Sequence, residues 1–336
     1  MLDVKTGGCG GEKLNAAIIG LGRVASLLED DSLREKPCTH AGAITANSDC
    51  VLAGGMDIDS QKRRLFSERW GVPVFEQAEE MIHKVKPSIL CVSTHPDSHA
   101  YYCALAASCG VPLVVCEKPL SHTLIGARKI RAIHDGGITK VLVNHERRYS
   151  ENYIKIKQFL EENRAGKILS VSAKLYMGKS QRLVDVFWHD GTHLVDAIMF
   201  LTGGTLIHKK TFPQSISRQK GTCFLFGTIK ENGVPVVIEI GAGRDHLLFE
   251  IEISCEKGMV RIGNDIFEIF ASAVSQYASG FLSLKKISSC FTDKTHYFSN
   301  MMADAVRCVC SSQEPLSNAR TGYAVVKYLD AAAGKW

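Results

Sequence analysis

The strongest constraint on the fold is an alternation of short apolar runs with helical segments over the first 145 residues. The apolar runs LNAAIIG, CVLAGGMD, PSILCVS, VPLVVC and KVLVN begin at residues 14, 50, 87, 111 and 140. Segments of helical character lie between them, at residues 60–70, 98–109 and 123–134. Strands that alternate with helices of this length form a parallel sheet covered on both faces. The sequence therefore predicts a doubly wound α/β domain over residues 13–145.

The sequence changes character after about residue 145, where strand-like runs follow one another with turns and few helices. Apolar and charged residues alternate strictly in FEIEI, residues 249–253. This alternation is typical of a strand with one buried face and one face toward water or a partner. We therefore predict an α+β domain with a mostly antiparallel sheet over residues 146–336, and a loose tail over residues 1–12.

Length and composition restrict the class of protein. A chain of 336 residues is longer than one hydrophobic core usually serves, which also favours two domains. The formal net charge of +5 is too small to indicate nucleic-acid binding, and no apolar run is long enough to span a bilayer. The start of the chain lacks the apolar core of a secretory signal, and several of the twelve cysteines fall in apolar segments. These features favour a cytoplasmic protein with reduced cysteines.

The turn after the first predicted strand carries a nucleotide-binding pattern. Residues 20–25 form a GxGxxA motif, which consists of Gly20, Leu21, Gly22, Arg23, Val24 and Ala25. Such glycines allow a tight turn and a close approach of backbone to a pyrophosphate at the N-terminus of the next helix. The motif alone also fits a turn that binds nothing. A strand before it and a helix after it are the context of a dinucleotide site, so we predict that these residues bind the cofactor.

Asp57 closes the second predicted strand and is the candidate acid for the cofactor ribose. It lies 57 − 22 = 35 residues after Gly22, whereas the usual spacing is about 20. We interpret SLLEDDSLREKPC, residues 26–38, as a polar insertion that explains the difference. An acid at this position favours NAD over NADP, although Arg63 and Arg64 nearby leave NADP as an alternative.

The segment CEKPL, residues 116–120, places Lys118 at the exit of a buried strand, where ligands of such sheets bind. Together with the glycine loop, STHPDSH (93–99) and DGTHLVD (190–196), it resembles the Gfo/Idh/MocA oxidoreductases, which include glucose–fructose oxidoreductase and inositol dehydrogenase. The resemblance extends over nearly the whole chain. It implies a Rossmann domain followed by an open-faced sheet that often builds homodimers or homotetramers.

The resemblance also implies roles for individual residues. The cofactor-lining residues that it implies are Ser93, Thr94, His99 and Glu117, and we add the neighbouring His95 and Lys118. It implies that Lys118 contacts the reacting oxygen and that His193 is the acid–base residue. Arg147 and Arg148, in the segment NHERRY, would reach the substrate or brace the junction between the domains. We count Arg147 among the substrate-binding candidates.

Two positions depart from the family pattern. His95 stands where the family usually has proline, and His189 stands where many members have aspartate, four residues before the catalytic histidine. Asp190 is adjacent, but one step along an α-helix turns a side chain by about 100°. Without that aspartate, His193 lacks a carboxylate that would orient its ring and stabilise its protonated form. We therefore expect a shifted pH optimum or a different substrate class.

The segment FWHDGTHLVD, residues 187–196, has three interpretations. His189, His193 and Asp196 recur at i, i+4 and i+7, so on an α-helix they would share one face. Zinc can bind histidines at this spacing, but no HExxH glutamate and no cysteine cluster accompanies them, so we predict no metal. Inert helical histidines are the third interpretation. We predict that His189 and His193 are catalytic and contact the substrate together with Asp190.

The predicted function is NAD(P)-dependent hydride transfer to or from a hydroxyl or ketone of a sugar, cyclitol or nucleotide sugar. Lys118 would stabilise charge on the oxygen, and His193 would move the proton. A non-catalytic NAD-binding regulator and an enzyme that uses NAD in a redox-neutral cycle are alternatives on the same scaffold. The presence of both residues favours an enzyme, because a sensor needs neither.

Overall fold

The computed structural model describes residues 12–179, 181–213, 221–289 and 294–334. The chain divides into two compact units, of which the first contains residues 1–149 and 296–323 and the second residues 150–295 and 324–336. These units differ from the predicted domain ranges because segment 296–323 returns to the first unit. The predicted tail, apart from Glu12, lies outside the described residues.

The first unit contains a sheet of six strands: β1 (Leu14–Ile19), β2 (Cys50–Met56), β3 (Val74–Phe75), β4 (Ile89–Val92), β5 (Leu113–Cys116) and β6 (Lys140–Val143). All pairs are parallel, in the order β3-β2-β1-β4-β5-β6. Every residue of β4 and β5 is buried, as expected for a sheet covered on both faces. The doubly wound prediction is confirmed. The order reverses between β1 and β4, where such sheets bind ligands.

Five helices follow these strands: α1 (His40–Ala46), α2 (Ser60–Trp70), α3 (Ala78–Val85), α4 (His99–Ser108) and α5 (Leu124–Asp135). Three of them begin after a residue whose side-chain oxygen accepts a backbone N–H of the first turn. These residues are Thr39 for α1, Asp59 for α2 and Thr123 for α5. Such caps satisfy N–H groups that have no partner within the helix.

The segment after the glycine loop differs from the prediction. Residues 23–26 form turns and Leu27–Asp30 a short 3-10 helix, so the next α-helix begins only at His40. The polar residues of the insertion offer no apolar helix face, whereas four of the seven residues of α1 are buried. Glu29 anchors the insertion, because its carboxylate accepts the Cys38 N–H at 2.8 Å and the Thr39 hydroxyl at 2.9 Å.

Helix α9 (Tyr297–Ser311) belongs to the first unit because its apolar face completes that unit's core. Phe298, Met301 and Met302 are buried in one cluster with residues of α1 and of the parallel sheet. A return of the chain from late sequence to an early core depends on packing, and no local pattern in the sequence indicates it.

The second unit contains a sheet of eight strands: β7 (Ile168–Tyr176), β8 (Leu206–Phe212), β9 (Gly221–Ile229), β10 (Pro235–Ala242), β11 (Leu248–Cys255), β12 (Gly258–Gly263), β13 (Phe267–Val274) and β14 (Leu282–Ser288). Their order is β14-β13-β12-β11-β7-β10-β9-β8. The pair β7 and β10 is parallel and the other neighbours are antiparallel. The prediction of a mostly antiparallel sheet is confirmed.

This sheet has one buried and one open face. Residues of β11 alternate between the two along its whole length, as the FEIEI pattern predicts. On the open face Arg261 of β12 contacts Glu250 at 2.7 Å and Glu268 at 3.0 Å. Ion pairs across strands therefore cover part of this face.

Helices of the second unit are α6 (Glu151–Glu161), α7 (Leu183–Asp185) and α8 (Gly191–Thr202), and α10 (Ala319–Ala333) starts in the first unit and ends in the second. A π-helical turn, Val186–Asp190, joins α7 to α8. Residues 194–201 of α8 are all buried and pack against the inner face of the sheet. This packing fixes the position of the segment that carries His193.

Two further observations concern predictions made from composition. In the described ranges, no helix is both long and apolar enough to cross a membrane. Cys91, Cys116 and Cys223 are buried free thiols, and burial raises the pKa of Cys223 to about 12, which keeps it protonated. Cys310 is disulfide-bonded, so the prediction of reduced cysteines is wrong for this residue.

Candidate functional site

Each strand of the first unit from β1 to β6, except the short β3, is followed at once by a residue of the candidate site. Gly20 follows β1, Asp57 follows β2, Ser93 follows β4, Glu117 follows β5 and Asn144 follows β6. Because the strands are parallel, these residues lie at one edge of the sheet. This carboxyl edge is where doubly wound sheets hold nucleotides.

The glycine loop combines a tight packing position with an open one. Gly20 has φ +86°, and a Cβ there would lie 2.8 Å from the carbonyl oxygen of Ser93. A Cβ on Gly22 would meet nothing within 4 Å. Gly20 is therefore required by the protein's own packing. Gly22 leaves room at the loop surface that a side chain would fill.

Asp57 is buried beside this loop despite its unusual spacing in sequence. Its Oδ2 accepts the backbone N–H of Leu21 at 2.8 Å, and its Oδ1 accepts the N–H of Asp59 at 2.9 Å. The β1–β2 pairing aligns Ile19 with Met56, which brings the ends of the two strands together however long the insertion is. The insertion is therefore compatible with the predicted role of Asp57.

The two arginines that left NADP as an alternative are held by other groups. Arg63 donates to the backbone carbonyls of Asp57 and Ile58 at 2.8 and 3.0 Å and pairs with Glu76. Arg64 lies 3.7 Å from Glu68 on the same helix. The contacts of Arg63 favour NAD over a cofactor with a 2′-phosphate, whereas Arg64 is exposed and only weakly paired.

The remaining loop residues Arg23 and Val24 lie on the turn after Gly22, with Arg23 exposed and Val24 half-buried. Ser93 bonds across the switch point, because its hydroxyl donates to the Gly20 carbonyl at 2.7 Å. Thr94 is half-buried with its hydroxyl 2.7 Å from that of Ser98, and His95 is exposed. Thr94 lies beside the glycine loop, since its Cγ2 would be 2.9 Å from a Cβ on Gly20.

His99 differs from its predicted position on the surface of the cleft. Its side chain is completely buried, with Nε2 3.2 Å from the Thr94 carbonyl and Nδ1 3.3 Å from the Leu120 carbonyl. Burial lowers the pKa of His99. The ring braces the backbone of two site segments, and a group with no exposed surface cannot touch a cofactor.

Lys118 is half-buried, and Glu117 beside it is buried. One oxygen of the Glu117 carboxylate, Oε1, lies 2.8 Å from His40 Nε2 and accepts the Asn144 amide N–H at 2.6 Å. Its Oε2 accepts the backbone N–H of Lys118 at 3.3 Å. Glu117, which lies between β5 and Lys118, is therefore held by contacts from α1 and from the end of β6.

His40 and Asn144 were missed by the sequence reasoning. Burial works to lower the pKa of His40, but the Cys91 sulfur and the Glu117 carboxylate outweigh burial and raise the pKa to about 10. Burial works to raise the pKa of Glu117, but contacts with His40, Asn144 and Lys118 outweigh it and lower the pKa. A histidine in the otherwise apolar HAGAITA and a polar residue directly after a buried strand were the available signals.

In the second unit, the structure separates residues predicted to share one helix face. His189 lies in the π-turn with its side chain 64% exposed, whereas Asp196 is buried and His193 is half-buried in α8. The Gly191 N–H bonds to the Val186 carbonyl, five residues back, so this turn is wider than an α-turn. The 100° step therefore does not apply here. His189 therefore lies outside the regular α-helix assumed for the common face, whereas His193 and Asp196 remain i, i+3 neighbours in α8.

Asp190 holds the exposed histidine. Its Oδ1 lies 3.1 Å from His189 Nδ1, and its own side chain is only 18% exposed. The backbone carbonyl of His189 also accepts the hydroxyl of Thr192 at 2.8 Å. The side chain of Asp190 is therefore less exposed than that of His189, which stands where many family members have aspartate.

The arginines after β6 have separate contacts within the first unit. Arg147 lies 3.1 Å from the Glu146 carboxylate, and Arg148 is buried and donates to the Leu316 carbonyl at 3.2 Å. Arg148 therefore contributes to the structure of the first unit. In the part of the chain that the structure describes, no group of three or more His, Cys, Asp or Glu side chains is placed to hold a metal ion.

Most of the first unit matches the model of a known protein family. Residues 14–145 match the model of the Gfo/Idh/MocA oxidoreductase family, described as an NAD-binding Rossmann fold. The match spans strands β1 to β6 of the parallel sheet. The resemblance inferred from the glycine loop and the CEKPL segment is confirmed. The Gfo/Idh/MocA family binds NAD with this domain, and Gly20, the open space over Gly22 and the buried Asp57 fit that cofactor.

The similarity to known proteins extends into the second unit. Inositol 2-dehydrogenase 2 of Saccharopolyspora erythraea is 26% identical over 242 residues, which are 68% of this chain and 66% of that protein. The chain is also similar to the structure of UDP-N-acetylglucosamine 3-dehydrogenase GnnA from Acidithiobacillus ferrooxidans. That TM-score is 0.75 with 15% identity, over 96% of this chain and 97% of that one.

A third comparison gives the same fold. The structure of myo-inositol 2-dehydrogenase from Lactobacillus plantarum has a TM-score of 0.72 with 19% identity, over 96% of each chain. Identities this low show the fold of the whole chain and leave the substrate open.

Proposed function

We propose that this protein is an NAD-dependent dehydrogenase or reductase that acts on a CH–OH group of a sugar, cyclitol or nucleotide sugar. One observation supports the proposal above others. Lys118 comes two residues after β5, at the edge of the parallel sheet that also holds the glycine loop and Ser93, in a stretch that matches the family's NAD-binding model. An amine at the edge where the cofactor binds can act on the substrate oxygen.

The chemistry divides between the cofactor and the chain. NAD⁺, when bound, would supply the acceptor for the hydride from the carbon that carries the hydroxyl. We assign to Lys118 two linked tasks: its free amine accepts the proton of the substrate hydroxyl, and the ammonium group so formed stabilises charge on the substrate oxygen as a compact donor of hydrogen bonds. We assign to His193 the further transfer of that proton, because imidazole holds either protonation state near neutral pH. Gly22 leaves room for the backbone to approach the pyrophosphate closely.

His189 and Asp190 have a supporting part in this proposal. Their contact, with Asp190 facing inward, favours Asp190 as the substrate-binding member of the pair and His189 as its surface partner. Arg147 remains a candidate for substrate contact, since its side chain is 15% exposed. His189 would then be auxiliary to catalysis.

The names of the relatives support the proposed substrate class. One is named an inositol dehydrogenase and one a dehydrogenase of UDP-N-acetylglucosamine, so polyhydroxylated rings are the compounds to test. We also propose a homodimer or homotetramer through the open face of the eight-stranded sheet. Cross-strand ion pairs such as Arg261 with Glu250 share this sheet with exposed apolar side chains such as Phe226 and Val237.

The test is NADH formation when the purified protein and NAD⁺ are mixed with a panel of sugars, inositols and UDP-sugars. The decisive variant is Lys118→Met, and the matched control is Lys129→Met, which removes an exposed lysine of α5. We expect turnover that falls at least about 100-fold in Lys118→Met and is unchanged in the control. His193→Gln should lower kcat without loss of NAD⁺ affinity.

Other results would favour the alternatives. Binding of NAD⁺ without turnover of any compound would favour the regulator. Substrate consumption without net NADH would favour the redox-neutral cycle. Equal turnover of Lys118→Met and the parent protein would refute the role of Lys118.

A further inference from the structure

A buried ion pair includes the residue that precedes Lys118, to which we assign contact with the substrate oxygen. His40 is completely buried at the start of α1, and its Nε2 lies 2.8 Å from Oε1 of Glu117, the residue before Lys118. The two residues are 77 positions apart in sequence. A charged pair in a dry interior costs solvation, so its retention calls for an explanation beyond stability.

The groups around the pair come from β4, from α9 and from the ends of β5 and β6. Cys91 of β4 and Glu117 face His40, and the Phe298 ring of α9 meets the imidazole edge-on at a centroid distance of 5.7 Å. Glu117 is faced by His40, by Asn144 at 2.6 Å and by the charge of Lys118, and it acts at longer range on His99. His40 is therefore the cation in contact with the Glu117 carboxylate from another element.

We propose that His40 is a positioning residue for hydride transfer: it fixes the Glu117 carboxylate and balances its charge, so that Lys118 is not the only counter-charge to Glu117. This inference rests on the role of Lys118 stated under the proposed function. Asn144 completes the arrangement, because its amide fixes the same carboxylate oxygen without adding charge.

The physical consequence concerns the protonation of the lysine. A carboxylate that lacks a partner cation stabilises the ammonium form of an adjacent lysine, and such a contact shifts a pKa by about one to three pH units. Lysine that remains protonated cannot accept a proton from a substrate hydroxyl. With the pair neutral overall, Lys118 can change its protonation state nearer to the working pH.

The surroundings of the pair favour its charged form. Burial works against a charged His40, but the contacts with Cys91 and Glu117 outweigh burial and raise its pKa to about 10, and the contact with His40 helps to lower the pKa of Glu117. A merely structural pair would affect folding and overall activity but would leave the pH dependence of the reaction unchanged. The pH profile therefore separates the two roles.

The experiment compares kcat/KM between pH 6 and 10 in the parent protein, His40→Gln and the double variant His40→Gln/Glu117→Gln. In His40→Gln we expect the rise in activity to move to higher pH by about one to two units, because Glu117 has lost its counter-charge. In the double variant both charges are gone, so the pH at which activity rises should return to that of the parent, whatever the loss in the height of the profile. A parallel loss of activity at all pH values, without a shift, would overturn the inference.

A second measurement needs neither activity nor a variant that folds well. The ring proton shifts of His40 in the unmodified protein are followed by NMR from pH 6 to 9. We expect an imidazolium that does not titrate in this range, whereas a ring that is neutral at pH 7 would overturn the inference. If the parent protein turns over no compound of the panel, the proposed function fails, and if Lys118→Met keeps full activity, the role of Lys118 fails. If Lys118→Met is inactive but His40→Gln keeps the parent profile, only the role of His40 fails.

Discussion

The two glycines of the nucleotide loop predict opposite results for the same substitution. Gly20→Ala puts a Cβ at φ +86°, 2.8 Å from the Ser93 carbonyl oxygen and 2.9 Å from Thr94 Cγ2. The left-handed conformation costs an L-residue about 1–2 kcal/mol. Forcing a methyl group against fixed backbone adds about 1–3 kcal/mol. We expect a loss of about 2–5 kcal/mol in the free energy of unfolding.

Gly22→Ala is expected to affect NAD⁺ affinity and not stability. Its Cβ meets nothing within 4 Å in the protein. Replacement of a glycine in an unstrained position stabilises a protein by about 0.4–1 kcal/mol through the unfolded chain. The new methyl group would occupy the space in which the pyrophosphate of the cofactor approaches the loop backbone. We expect unchanged or higher stability with NAD⁺ affinity weakened at least tenfold, or about 1.4 kcal/mol.

Thermal unfolding without cofactor and calorimetric titration with NAD⁺ measure the two effects separately. Gly20→Ala should lower Tm by roughly 5–15 °C. Gly22→Ala should keep Tm within about 2 °C of the parent and lose affinity. Equal destabilisation by the two variants would refute the assignment of Gly20 to packing and Gly22 to binding. Full NAD⁺ affinity in Gly22→Ala would refute its place in the cofactor site.

Two further predictions concern other residues of the first unit. Asp57→Ala should destabilise the protein by about 1–3 kcal/mol, because the buried Leu21 N–H loses its acceptor, and Asp57→Asn should restore part of that loss in a denaturant titration. Because burial lowers the pKa of His99 below 6.5, the unfolded chain binds a proton that the folded chain does not, and stability falls as pH drops below 6.5. His99→Gln should therefore lose less Tm between pH 7 and 5 than the parent does, and an identical loss would contradict this.

Periodicity in the sequence accounts for most of the first unit's architecture. Runs such as PSILCVS and VPLVVC have a composition that only a sheet buried on both faces can use, and β4 and β5 lie inside them. The strict alternation of FEIEI likewise describes β11. Local patterns succeed here because a strand's burial follows directly from the residues that it contains.

Part of the candidate site could also be predicted from the sequence. The glycine loop, Asp57 and Lys118 lie at strand ends, and the ends of parallel strands meet at one edge whatever the length of the connections. The insertion of residues 26–38 could be recognised as extra, but not that it would replace the first turns of a helix. That outcome depends on which residues can bury an apolar face against the sheet.

Contacts between distant segments were decided only by the tertiary structure. His40 meets Glu117 across 77 residues, and α9 fills a core built from the first half of the chain. The π-turn before α8 turns His189 outward and Asp190 inward, although the i, i+4 spacing indicated otherwise. The sequence by itself determined the strands, the loop between them and the family that the nucleotide domain resembles. Packing decided which polar groups became buried partners, because burial and charge balance depend on neighbours that are remote along the chain.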